Sequence, residues 1–312
     1  MSTTPRVSVV IPSYNRQDHV VEAIESVLSQ TFTDFEIIVV DDGSTDGTNT
    51  RIQPYLDRLT YTKQENRGVA VARNAGIRLA KGEFICFLDS DDLWEPVKLQ
   101  RQISFADAHP EYGLLATELQ GFDTSGKPVG QKKSAMYDIR NGLVVEQLLR
   151  GNWIQTSTVM VRRECLDEAG WFDEDIGQFG EDWLMWMRAA ARFPIYFMPE
   201  SLVSYRYHPG RLTLYQREEQ FLSLMRCLKK IEGFPQFQRK PELIREAEYR
   251  ICVGRGKYDL ANGDHERAIA KLNRARNLRK KSLIPLYFLL CATVGKIFRG
   301  GGLSDSVTGR TS

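Results

Sequence analysis

The stretch Phe84-Ile85-Cys86-Phe87-Leu88-Asp89-Ser90-Asp91-Asp92 decides the fold. Five consecutive apolar residues closed by polar ones read as a strand buried on both faces, the mark of a parallel sheet covered by helices. The strand therefore delivers three carboxylates together at its carboxyl end. Like charges at this spacing raise one another's pKa unless a cation lies among them. Oxygen ligands in a short, open geometry suit Mg2+ or Mn2+, and a diphosphate is the natural partner of such an ion. A helix cap would account for one of these acids, not for three.

The arrangement recurs upstream. Glu36-Ile37-Ile38-Val39-Val40 reads as a second buried strand, ending in Asp41-Asp42-Gly43-Ser44-Thr45-Asp46-Gly47-Thr48, and Val7-Ser8-Val9-Val10-Ile11 as a third, ending in Pro12-Ser13-Tyr14-Asn15-Arg16. Helical periodicity covers Asp18 to Gln30, Gly47 to Arg58, Gly68 to Ala80 and Glu95 to Ala108, the last with Pro96 in its first turn. This alternation predicts an α/β fold with a mostly parallel sheet flanked by helices, and ligands of such sheets bind at the carboxyl ends of the strands. Asp42 to Gly47 imitates the start of a calcium loop. The imitation fails because Gln53 stands where the loop requires Glu and a strand, not a helix, comes before.

From Tyr112 to Tyr137 the pattern is irregular, with turn signals at Gly121, Gly126, Pro128 and Gly130. A strand is expected at Thr156 to Val161, a helix at Glu181 to Arg192 and a strand at Ile195 to Tyr207. Beyond Leu214 the pattern is helical, which predicts an N-terminal domain over 1–214 and a helical C-terminal region over 215–312. Within the latter, Tyr249 to Leu278 resembles one tetratricopeptide-like helix pair around Asn262-Gly263-Asp264, with Gly254, Ala261, Ala268 and Ala275 at the small-residue positions.

The chain has 312 residues and is 42% hydrophobic, enough for one large domain or a domain with an appendage. With 42 Lys and Arg against 40 Asp and Glu, the balance of charge gives no reason to expect a nucleic-acid partner. The distribution is less even, because 271–299 holds Lys271, Arg274, Arg276, Arg279, Lys280, Lys281, Lys296 and Arg299 and no acid. The apolar run Leu283 to Gly295 falls short of the roughly 20 residues of a spanning helix. Two readings of 271–299 stay open: a solvated helix packed on the main domain, or peripheral contact with an anionic membrane. Five cysteines without a CxxC pair, and no signal peptide ahead of the first strand, predict a cytoplasmic protein, with the inner membrane face as its site if the membrane reading holds. Four dispersed histidines make no zinc site.

Four blocks together resemble the family 2 glycosyltransferases of the GT-A fold: residues 7 to 16, 41 to 48, Asp-Ser-Asp-Asp at 89 to 92, and Gly-Glu-Asp-Trp at 180 to 183. The resemblance covers roughly Val7 to His208. It implies transfer of a sugar from a nucleotide-sugar donor, most readily a UDP sugar, with inversion at the anomeric carbon. Carried over by position, Asp42 accepts from the pyrimidine ring, while Pro12, Tyr14 and Asn15 line the base and ribose pocket. Asp89 and Asp91 form the acidic pair for ribose and metal, Asp91 being the direct ligand of Mn2+ or Mg2+, and Asp182 is the general base. Arg73, in Gly-Val-Ala-Val-Ala-Arg-Asn-Ala-Gly, is placed to reach the donor phosphates, and His208 falls where related enzymes close a loop over the donor, as a diphosphate or metal contact. Bland roles stand beside these: a surface salt bridge for Arg73, a satisfied loop histidine for His208, a helix-dipole partner for Glu181 and Asp182, and packing for Trp183 and Trp186.

The chemistry asks for the same residue types. A carboxylate takes the proton of an attacking hydroxyl, a cation neutralises the departing nucleoside diphosphate, and one displacement with one base inverts the centre. The expected activity is that of a metal-dependent hexosyltransferase whose acceptor is a glycan or lipid-linked sugar, in surface polysaccharide, O-antigen or lipid-linked glycan synthesis. The chief alternative is a non-catalytic module that binds nucleotide sugars or glycans on the same fold. A sugar nucleotidyltransferase would carry a glycine-rich first loop in place of Pro12-Ser13-Tyr14-Asn15-Arg16, and a phosphoacceptor receiver would carry acids after the first strand. The absence of Gln-x-x-Arg-Trp predicts transfer of one residue at a time.

Overall fold

The computed structural model describes residues 4–208 and 217–300. Two compact units divide the chain, Met1–Gln236 and Phe237–Ser312. The boundary expected near Leu214 lies outside the described residues.

In the first unit strands and helices alternate: β1 (Val7–Ser13), α1 (Val20–Leu28), β2 (Phe35–Asp41), α2 (Thr48–Ile52), β3 (Thr60–Lys63), α3 (Val69–Leu79), β4 (Phe84–Phe87), β5 (Leu93–Trp94) and α4 (Lys98–Ala108). There follow β6 (Leu114–Phe122), β7 (Pro128–Val129), α5 (Lys133–Met136), α6 (Val145–Arg150), β8 (Met160–Arg162), α7 (Arg163–Ala169), α8 (Glu181–Ala190), β9 (Ile195–Arg206) and α9 (Arg217–Glu232). The sheet order is β3-β2-β1-β4-β8-β6-β9-β5, with β7 on β6. From β3 to β4 every pair is parallel, whereas β8 enters antiparallel to both β4 and β6. Register pairs Val7 with Phe35 on one side and with Phe84 on the other, so β1, β2 and β4 start at one level, and β4 ends opposite Val10 while β1 and β2 run on to Ser13 and Asp41.

Burial on both faces explains the unbroken apolar runs. Val7, Val9 and Ile11 join Ala23, Ile24 and Val27 of α1 and Leu99 and Ile103 of α4 in one core. Val10, of opposite parity, faces α3, where a Cβ on Gly76 would lie 2.2 Å from Val10 Cγ1. Only glycine permits that approach. Pro12 donates no hydrogen bond and falls beyond Val10, the last β1 residue in register with β4.

Local chemistry shortens three expected elements. The helix expected to Arg58 ends at Ile52 and passes into a 3-10 turn, Gln53–Tyr55, because Pro54 lacks an N–H. α4 begins at Lys98 because Leu93 and Trp94 pair with Ser204 and Val203 of β9. The strand expected from Thr156 begins only at Met160: Thr156–Thr158 is a 3-10 turn, and the Ser157 and Thr158 hydroxyls bond to Asp92 and the Gln155 carbonyl.

The second unit contains α10 (Pro241–Ala261), α11 (His265–Leu278) and α12 (Leu283–Gly300). α10 and α11 turn at Gly263, φ 77°, and the Asp264 carboxylate accepts from the Arg267 amide to cap α11. Ala268 and Ala275 are buried, as the helix-pair reading expects. Gly254 and Ala261 are not close-packing positions: nothing lies within 4 Å of a Cβ at Gly254, and Ala261 is exposed. The close approach occurs two residues beyond Gly254, where a Cβ at Gly256 would meet Leu272 Cγ at 2.7 Å. Among the described residues no helix is long and apolar enough to cross a membrane.

Candidate active site

The carboxyl ends of β1, β2 and β4 are stitched together by side chains. Asn15, at φ 51°, donates its amide to Ser44 Oγ at 2.9 Å and accepts from the Thr45 amide through Oδ1 at 2.9 Å. Arg16 N donates to Thr48 Oγ1 at 2.9 Å, and Asp46 caps the start of α2 through Thr48. The loop that imitates a calcium site thus spends its carboxylate on a helix start. Tyr14 is 44% exposed and projects clear of this lattice.

Asp42 is buried and accepts from Gln64 Nε2 at 2.7 Å, Arg67 N at 3.0 Å and Gly68 N at 2.8 Å. A carboxylate has about four acceptor positions, so one remains for a ring N–H. These bonds also fix the entry to α3, where Gly68 has φ 94°.

Arg73 is buried in α3 and joins two acids from distant elements: Nη2 donates to Asp89 Oδ1 at 2.8 Å and Nη1 to Glu181 Oε1 at 2.7 Å. Two of its five N–H donors thus go to carboxylates, in a buried position where the sequence allowed an exposed salt bridge or a phosphate contact, while its Nε has no partner among the described residues. Burial would lower its pKa, but Asp89, Glu181 and Asp182 together raise it. Burial drives the Glu181 carboxyl up to about 7, the Asp182 charge adds to this, and Arg73 opposes both. The two partners move differently because the guanidinium meets three carboxylates while Glu181 meets one cation, one like charge and little water. Next to Arg73, Asn74 exchanges two bonds with the Phe172 backbone, at 2.9 and 3.0 Å, and so seats the segment leading to α8.

Gly180 starts α8 with φ 80°. A Cβ there would sit 3.0 Å from Cys227 Sγ of α9, so both conformation and packing demand glycine. The turn sets Asp182 where Asn152 Nδ2 donates to its Oδ2 at 3.1 Å and the Trp183 amide to its Oδ1 at 2.6 Å. Burial raises the Asp182 carboxyl above its ordinary value against the pull of Arg73. Trp183 and Trp186 are packing residues, buried at 4% and 0% exposure. Lys133 lies near Asp182; burial lowers its ammonium, and Glu118 and Asp182 oppose that. Glu118 positions this lysine by accepting from the Lys133 and Ser134 amides at 2.9 Å each.

Asp91 Oδ2 is 3.0 Å from His208 Nε2 and 3.4 Å from Arg16 Nε. Burial pushes its carboxyl up, but the His208 bond and the Arg16 charge outweigh this and hold it below the usual range. Asp92 points inward: Ser157 Oγ donates to Oδ2 at 2.6 Å and Arg206 N to Oδ1 at 3.1 Å. Ser157 Oγ also accepts from the Asp89 amide at 3.1 Å, and Arg206 donates to the Asp91 carbonyl at 2.9 Å and to Glu22 at 2.6 Å. The acidic loop, the Ser157 turn and the end of β9 are one hydrogen-bonded body. Sequence reasoning gave no role to Arg16, Asn152, Ser157 or Arg206. Of these Arg16 and Arg206 carried a signal, Arg16 as the last residue of the block at 7 to 16 and Arg206 as a near neighbour of His208.

Among the described residues no three His, Cys, Asp or Glu side chains form a ready cation cage. Asp91 and His208 nonetheless fit Mg2+ or Mn2+. The carboxylate and imidazole lie side by side in a hydrogen bond of 3.0 Å, and such ions bind through one or two protein groups plus water and substrate phosphates. His208 adds a nitrogen donor that Mn2+ tolerates better than Mg2+.

Parallel strands that end in acids, an antiparallel β8 beside them and a helix with two acids in its first turn define a GT-A glycosyltransferase domain. The fold resembles S. aureus TarS in complex with UDP-GlcNAc, with a TM-score of 0.67 at 22% identity over 96% of this chain and 93% of that one. It also resembles the mannosyltransferase PcManGT from Pyrobaculum calidifontis in complex with GDP-Man and Mn2+, with a TM-score of 0.60 at 22% identity over 96% of this chain and 88% of that one. The glycosyl transferase family 2 model matches residues 8–166, and the chain belongs to that family. A putative teichuronic acid biosynthesis glycosyltransferase of Bacillus subtilis, TuaG, is 34% identical over 213 residues, which cover 65% of this chain and 79% of that protein. An uncharacterised Rickettsia felis glycosyltransferase is 37% identical over 210 residues, 67% of this chain but only 34% of that longer protein.

Proposed function

We propose that the chain is an inverting glycosyltransferase that moves a hexose from a nucleotide sugar, most readily a UDP sugar, to a hydroxyl of a glycan or lipid-linked acceptor. The observation that carries this reading is the Arg73 bridge, which brings Asp89 of the donor-side loop and the Glu181-Asp182 pair of α8 to one place. Tyr14, Pro12, Asn15 and the remaining acceptor position of Asp42 would receive the base and ribose, and Asp89 the ribose hydroxyls. Asp91 and His208 would hold Mn2+ or Mg2+, whose contribution when bound is to neutralise the departing diphosphate. Arg73 would position Asp89 and Glu181, and its N–H groups not bound to these carboxylates are the ones that would meet the donor phosphates.

In the reaction the acceptor oxygen bonds to the anomeric carbon as the bond from that carbon to the phosphate oxygen breaks. The acceptor proton passes to Asp182, which Asn152 orients and burial makes more basic than an exposed carboxylate. A single displacement leaves the anomeric centre inverted. TuaG's assignment to teichuronic acid synthesis and the UDP-GlcNAc bound to TarS favour a UDP donor and a cell-envelope glycan as product. The five unpaired cysteines suit a reducing cytoplasm as the place of reaction.

Asp182→Asn tests the reading. Transfer and donor hydrolysis should fall at least about a hundredfold while UDP affinity with Mn2+ stays within about twofold. Unchanged turnover refutes Asp182 as base. A wild-type chain that binds UDP sugars yet turns over none of a donor panel would be the binding module instead.

A further inference from the structure

We propose that α12 and the basic residues ahead of it form a surface that lies on an anionic lipid bilayer. The helix is split lengthwise. Leu289 and Ala292 pack on Ala268 and Leu272 of α11, while Leu283, Ile284, Leu286, Tyr287 and Leu290 are 76, 48, 39, 62 and 60% exposed. At 3.6 residues per turn these five cover an arc of roughly 160°, an apolar face with no charge on it.

Charge selects the occupant. No acid lies between Lys271 and Arg299. Arg274 and Arg279 are paired with Glu248 and Glu246, but Arg276, Lys280 and Lys281 are exposed and make no ion pair among the described residues. Lys280 and Lys281 stand just before the N-terminus of α12, where the helix dipole disfavours cations. They weaken the helix they precede, and an anionic surface would reverse that cost. A second copy docked face to face would bring two such basic segments together if parallel, and if antiparallel would set each against the end of the other α12 that carries Lys296 and Arg299 in sequence, so like-charge repulsion opposes a symmetric dimer. The helix does not meet the length and hydropathy needed to span, and an apolar face beside cations, with Tyr287 on it, is the pattern of a helix lying in the headgroup region.

The test is flotation of the full chain with vesicles of phosphatidylcholine, alone or with phosphatidylglycerol, at low and high salt. Wild type should float only with the anionic vesicles and be released by salt. Lys280→Glu with Lys281→Glu should lower the partition coefficient at least about tenfold, and Leu283→Ser, Tyr287→Ser and Leu290→Ser together should do the same. All replaced residues are exposed, so circular dichroism and melting should match wild type, which separates lost binding from lost folding. Flotation that ignores lipid charge, or survives either set of changes in a folded protein, overturns the proposal. So does a wild-type dimer that the serine variant makes monomeric while no vesicle is bound. Sugar transfer to a soluble acceptor is a separate readout, and its presence or absence leaves this outcome unaffected.

Discussion

Replacing Arg73 by Met should unfold the first unit more easily, and more so at high pH. Arg73 and Glu181 have side chains only 4 and 7% exposed, whereas Asp89 keeps 34% of its surface. Loss of the guanidinium strands Glu181 in particular, because Asp89 can still be solvated. Removing one partner of a buried pair costs about 3–5 kcal/mol. For a unit of 236 residues, this lowers Tm by roughly 6–20 °C. Glu181 is already held up to about 7, and without Arg73 it rises further. Between its unfolded and folded values the native chain holds a proton that the unfolded chain has lost, so stability falls as pH rises through that window. The loss should therefore be largest at pH 8 and smaller by about 1 kcal/mol or more at pH 5.5. Calorimetry on wild type, Arg73→Met, Glu181→Gln and the double variant closes the cycle, and the double variant should recover about half the loss because a neutral amide needs no cation. A Tm decrease under about 3 °C at pH 8, an equal loss at both pH values, or strict additivity would show that the bridge is not what holds α3 and α8 in register.

Gly180→Ala should lower stability by roughly 1–2 kcal/mol, because it forces a positive φ on alanine and crowds Cys227; kcat should fall with little change in UDP affinity, and a parallel loss of both argues against a role in aiming Asp182. Tyr14→Ala should weaken UDP binding by roughly 5- to 100-fold through lost stacking at unchanged Tm, since the ring is exposed; titration calorimetry decides, and unaltered affinity removes Tyr14 from the base pocket. Burial holds Lys98 down to about 8 from 10.5, so between these values the unfolded chain carries the extra proton and stability should rise with pH. Lys98→Met should flatten that rise in denaturant titrations from pH 7.5 to 10; an identical slope in both proteins would show that the ammonium is not desolvated as its place between Trp94 and Gln102 implies.

How far the fold was legible depends on how local its causes are. β1, β2 and β4 are written in consecutive Val, Ile and Phe because both sheet faces are covered, and that pattern survives in a window of five residues. β5 is two residues long and exists only because β9 lies beside it, a partner more than a hundred positions away. The segment around Ser157 reads as strand in sequence for a related reason. Its β-branched neighbours favour extension, and only the presence of Asp92 as acceptor for the Ser157 hydroxyl reveals why the backbone bends.

The site divides along the same line. Carboxylates that need a cation or a proton must cluster, and a cluster at a strand end is visible in sequence. The groups that hold it are invisible because each works through a single long-range bond: Arg73 to Glu181, Arg206 to Glu22, Asn152 to Asp182. Arg73 is instructive because its type was noticed and its direction was not. At 4% side-chain exposure, with two of its five N–H donors on carboxylates, it first of all holds Asp89 and Glu181 together. A divalent ion held by Asp91 and His208, as proposed above, would neutralise the donor diphosphate without dismantling the frame that Arg73 holds.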